Sequence, residues 1–190
     1  MGHYISVFYL QINKSEVPET IDTWHSSIDV LDKYSKMSGG SELYKTASRN
    51  WWHQHALLLI CEQLRISGLE FIDSEIACIT HADLEGIEIA LTSVLKRLSI
   101  GFPDFGPIEE QSGSVWHLVN YFESGEIKQY TQETIRQAFD ESIVTRDASC
   151  GVDSGYESLV TFFSFIKSLH YCVKEAMNGN KFLLYVQPQP

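Results

Sequence analysis

The stretch SGYESLVTFFSFIKSLHYCVKEAMNGNKFLLYV, residues 154–186, decides the fold. Ser154 and Glu157 fit the capping box S-x-x-E, in which hydroxyl and carboxylate each satisfy a backbone N–H orphaned at a helix start. Leu159, Phe162, Phe163, Ile166, Leu169, Val173 and Ala176 then recur at helical spacing. Asn178 and Gly179 supply the stop, because glycine tolerates the left-handed conformation common just past a helix end. Phe182 to Val186 is a short β-favouring run, and Pro188 and Pro190 bar its extension. A helix feeding a strand this apolar demands a core that other segments must close.

Working outward, Tyr4 to Ile12 suits a strand, so both chain ends are expected to be extended and to share one sheet. Ser15 and Pro18 mark a helix start, with Ile21, Trp24, Ile28, Leu31 and Tyr34 on one face and the Gly pair within Ser38 to Ser41 as its end. A second helix is expected from after Ser48 to about Ile66, stopped by Ser67 and Gly68. Its centre, Trp51 to Ile60, is apolar on nearly every side and predicts burial on more than one face. Leu69 to Ile79 mixes strand-like and irregular signals. Thr80 followed by Asp83 opens a third helix, with Leu84, Ile87, Leu91, Val94, Leu95 and Leu98 on its apolar face and Gly101 as its stop. Gly101 to Pro107 is turn chemistry carrying Phe102 and Phe105, and Ser114 to Phe122 fits helix and strand equally. Thr131 to about Val144 reads as a helix, and Arg146 to Asp153 as a loop.

No repeat, low-complexity tract or linker divides residues 1–190. The expected fold is therefore a single α+β domain, mostly helical, whose helices pack on a small sheet that includes the N- and C-terminal strands. No apolar run approaches the roughly 18–20 residues that span a bilayer. The start of the chain lacks the pattern of a signal peptide, so cytoplasm is the expected compartment. Cys61, Cys78, Cys150 and Cys172 form no C-x-x-C and no zinc-type pairing, which fits small buried hydrophobes in a reducing compartment.

A formal charge of −11 excludes nucleic acid and anionic membrane as natural partners, since both need a basic surface. The charge is uneven. From Asp104 to Glu157 eleven acidic residues stand against three basic ones, a local balance of −8. Such a stretch is either a solvated face that keeps the chain soluble or a docking surface for a cation-rich protein. Glu109, Glu110, Asp140 and Glu141 are its adjacent pairs. Neighbouring carboxylates diverge on a regular helix or strand, so these pairs carry no acid/base role.

The densest polar and aromatic cluster is Arg49 to His55, with Trp51, Trp52, His53 and His55. Histidines at i and i+2 point about 200° apart on a helix and do not ligate one metal there. The cluster reads either as a helix start with two aromatics entering the core or as a pocket lined by imidazoles and indoles. His25, His81, His117 and His170 have no partner at a recognisable spacing and read as structural. Gly151 to Gly155 and Ser112-Gly-Ser complete no G-x-S-x-G, P-loop or dinucleotide motif. No metal or cofactor is implied.

Trp52-His53 with Leu57 to Leu59, the acid-started helix Thr80 to Leu98, and Leu159 to Val186 ending in K-F-L-L-Y-V together resemble the layout of the YfbM-like family of uncharacterised bacterial proteins. The resemblance covers about half the chain and departs at Gly101 to Tyr130. The family has no firmly known activity, so the resemblance implies a small α+β bacterial cytoplasmic fold and little else. Two expectations for function follow from the residues themselves. One is a non-enzymatic interaction protein, of immunity or inhibitor type, whose acidic surface docks to a basic protein. The other is a small-molecule binder or enzyme with a cleft around Trp51, Trp52, His53 and His55.

Overall fold

A computed structural model describes residues 3–10, 42–48, 51–74, 76–101, 132–145, 155–179 and 182–186, at several of which only the backbone path is described. In chain order the elements are strand β1 (His3–Leu10), strand β2 (Glu42–Ser48), helix α1 (Trp51–Leu64), a 3-10 turn (Glu70–Asp73), strand β3 (Ile76–Ile79), helix α2 (His81–Ser99), helix α3 (Gln132–Glu141), helix α4 (Gly155–Asn178) and strand β4 (Phe182–Val186). Most described residues are helical. The four strands pair in the order β2-β1-β4-β3, every neighbour antiparallel. Tyr9 faces Leu183 in the central pair, and a bulge between Val7 and Phe8 shifts the β1–β2 register.

The hub is α4. It touches α1, α2 and α3 and lies against β1, β2 and β4. Phe162, Phe163, Phe165, Ile166, Leu169 and Val173 are completely buried. Burial reaches beyond the single stripe expected from the sequence, because Phe165, Cys172, Ser164 and Ser168 are also enclosed. A helix with neighbours on several sides must be apolar over most of its circumference. Phe163 meets Phe162 with ring centroids 5.6 Å apart and Phe139 edge-on at 6.0 Å. Facing α4, α2 buries Leu84, Ile87, Leu91, Val94 and Leu98, as its spacing predicts.

Helix ends account for most departures from the sequence reading. α1 stops at Leu64, not Ile66. The left-handed residue is Arg65 (φ 54°), and Arg65 N–H donates to Glu62 O while Ile66 N–H reaches back to Cys61 O at 2.8 Å. That is the Schellman pattern with arginine where glycine is usual; Gly68 (φ 103°) serves the turn that follows. At the other helix, Gly101 (φ 74°) is the stop that was expected. A Cβ there would lie 2.6 Å from Gln132 O, so only glycine lets α2 end against the start of α3. Gln132 Nε2 donates to Ile100 O at 2.9 Å across the same junction. Thr80 precedes α2 as expected, yet its hydroxyl donates to Asp83 Oδ2 at 2.6 Å instead of capping a backbone N–H.

Two strands escaped the sequence reading. Glu42–Ser48 carried no assignment, and Leu69 to Ile79 resolves into the 3-10 turn and β3. The expected helix from Ser15 to Tyr34, the cap residue Ser154, the turn residues 102–107 and the segment Ser114 to Phe122 lie outside the described residues, as do His25, His117 and Cys150. Among the described residues, no helix is long and apolar enough to cross a membrane.

Candidate interaction surface

The acidic stretch enters the described structure at α3. Ile135 and Ala138 face the core, while Glu133, Arg136, Gln137, Asp140 and Glu141 are exposed. The sequence predicts helix through Val144, but the helix ends at Glu141. The physical cause is the run Ile143-Val144-Thr145, three β-branched residues whose side chains crowd a helical turn. The chain instead lies across α4. Ile143 N–H donates to Ser164 Oγ at 3.1 Å and Thr145 N–H to Ser168 Oγ at 3.0 Å. Serines four apart share one helix face, so two successive rungs hold one extended strip.

Lys167 completes the clamp. Its Nζ donates to Phe139 O at 2.6 Å and to Ser142 O at 2.8 Å, and sits 4.2 Å from the Phe139 ring centroid. Cations suit helix C-termini, where carbonyls are left unpaired. Burial pulls the ammonium below its ordinary range, opposed by the charge of Asp140. The outcome is a fixed strip in which Ile143 and Val144 are 65% and 50% exposed, directly after the exposed carboxylates of Asp140 and Glu141. Two exposed apolar side chains thus follow two exposed carboxylates in sequence.

A second polar cluster joins α2 to α4. His170 Nε2 lies 3.1 Å from both Glu88 Oε1 and Thr92 Oγ1, and Thr92 Oγ1 donates to the same carboxylate oxygen at 3.0 Å. A carboxylate only accepts, so Nε2 carries the proton. The hydrogen bond from His170, aided by Thr92 and by the charges of His170 and Lys174, holds the Glu88 carboxyl below its usual range against partial burial. Because acid and hydroxyl share one ring nitrogen, the group is a staple between helices. A catalytic relay would put the carboxylate on one ring nitrogen and the nucleophile on the other.

Of the residues singled out from sequence, Trp51, Trp52, His53 and His55 fall on the first turns of α1, with their side chains outside the description. Glu109 and Glu110 lie outside the described residues altogether. Asp140 and Glu141 are exposed, and the Ile143 and Val144 that follow them are exposed too, which the expected helix through Val144 had hidden; the β-branched run was the available signal. Cys61 and Cys172 are buried thiols pushed up to about 12, chiefly by burial and then by the charges of Glu70 and Glu175 respectively. Among the described residues, no group of three His, Cys, Asp or Glu is placed to hold a metal ion. No family model, curated protein or solved structure matches the chain.

Proposed function

We propose that this is a non-enzymatic interaction protein of the immunity or inhibitor type, a cytoplasmic α+β domain whose acidic surface docks to a basic protein. One observation carries the reading: Asp140 and Glu141 stand exposed next to exposed Ile143 and Val144 on a strip already fixed to α4. Opposite charge speeds encounter and excludes wrong partners, while desolvated apolar anchors supply most of the affinity. The strip needs little ordering on binding, which spares the complex that entropic cost.

The test is capture of proteins on the immobilised chain, compared among wild type, the charge reversals Asp140→Lys/Glu141→Lys and Glu109→Lys/Glu110→Lys, and Ile143→Ser/Val144→Ser. The expected captured species are basic, leave the column as salt rises from about 0.05 to 0.5 M, and are lost from the 140/141 and 143/144 variants. Each variant must keep the wild-type circular dichroism spectrum. Capture that ignores both salt and these substitutions contradicts the reading.

A further inference from the structure

We propose that the outer face of α2 is a self-association surface, on which a second copy of this chain seats its own α2 antiparallel. This face shares no residue with the acidic strip, so either can fail alone. The buried stripe from Leu84 to Leu98 turns one side of α2 to the core. On the other side Ala82, Gly86, Ile89, Ser93, Lys96 and Ile100 follow one another at alternating steps of four and three. That is the spacing by which a helix keeps one stripe toward a second helix. Ile89 and Ile100 are 58% and 45% exposed, although α2 has a whole buried stripe for its apolar residues. Ala82, Gly86 and Lys96 are exposed with them.

Charge selects the occupant, because the face is complementary to its own reverse. The acidic residues of α2, Asp83, Glu85 and Glu88, lie in its first half, and Lys96 and Arg97 lie in its last turn. A parallel pair would set like charge on like, whereas an antiparallel pair brings each acidic half to a basic end. Glu85 and Lys96 are eleven positions apart, close to a whole number of helical turns, so they share one flank of the stripe. A two-fold axis across the two helices sets that flank against its own copy, and with Leu91 at the centre Glu85 of one copy meets Lys96 of the other, twice. Both side chains are exposed, and neither has an ion-pair partner among the described residues. Size agrees with charge. The same centring sets Ile100 on Ala82, Ile89 on Ser93 and the Lys96 stem on Gly86, a large side chain over a small one at each level.

Sedimentation equilibrium of the full chain reads the association directly. One helix pair is a small interface, so dimer should appear between about 0.01 and 0.5 mM and fade as salt rises from about 0.05 to 0.5 M. Glu85→Lys alone and Lys96→Glu alone should each weaken dimerisation about tenfold or more, because like charges then face each other twice. An equimolar mixture of those two variants should form a heterodimer at about the wild-type strength, since every facing pair is again of opposite sign. Ile89→Lys should abolish association. All three side chains are exposed, so each variant should keep the wild-type circular dichroism spectrum. A monomer up to about 1 mM, a dimer indifferent to Glu85→Lys, to Lys96→Glu or to Ile89→Lys, or no association in the mixture overturns the proposal.

Discussion

Two residues govern how α2 is held, and each yields a measurable expectation. Gly101 combines a left-handed backbone with a Cβ position already occupied by Gln132, whose backbone O lies 2.6 Å away. Gly101→Ala should therefore cost more than about 1 kcal/mol in urea denaturation. Glu88 governs the acid limb. Its folded pKa lies below its unfolded one, so its contribution is fully present above the unfolded value and fades as pH falls through the lowered folded value. The stability gap between wild type and Glu88→Gln should be present at pH 7 and should shrink by about pH 3; a gap independent of pH would show that the staple to His170 contributes nothing electrostatic. The sequence marked Gly101 as a stop because glycine after a periodic helix is a local signal. His170 looked partnerless because Glu88 lies 82 positions away and only the packing of α2 on α4 joins them.

At the scale of elements, the least expected feature is the strip Ser142–Thr145. Its identity was hidden because Ile143 and Val144 continue an apolar rhythm that suits a helix, whereas their β-branching and the hydroxyls of Ser164 and Ser168 decide otherwise. Ser168→Ala leaves the Thr145 N–H without its partner on α4, and Lys167→Met removes the charged donor from the Phe139 and Ser142 carbonyls. Each should destabilise by about 1–3 kcal/mol in chemical denaturation. The helices themselves were legible wherever apolar spacing was regular, as in α2 and α4. Their ends were not, because Arg65 took the left-handed position that the sequence assigned to Gly68. β2 and β3 are short and lack strict alternation, and such strands take their identity from pairing partners distant in sequence.

For the whole molecule, α4 was legible as the hub because a long helix with regular apolar spacing runs directly into an apolar strand. Phe163 illustrates the consequence: it is wholly buried between Phe162 and Phe139. Phe163→Ala should cost about 3–5 kcal/mol, and a loss below about 1 kcal/mol would place the core elsewhere. The strip and its acidic neighbours were only half legible, since charge can be counted from sequence while exposure of Ile143 and Val144 cannot. α4 both builds the core and holds the strip Ser142–Thr145 on its surface. Amide hydrogen exchange of the isolated chain tests it most directly. Ile143 and Thr145 should be protected in the wild type and lose protection in Lys167→Met and in Ser164→Ala/Ser168→Ala, while the centre of α4 stays protected; free exchange of both amides in the wild type would contradict the account.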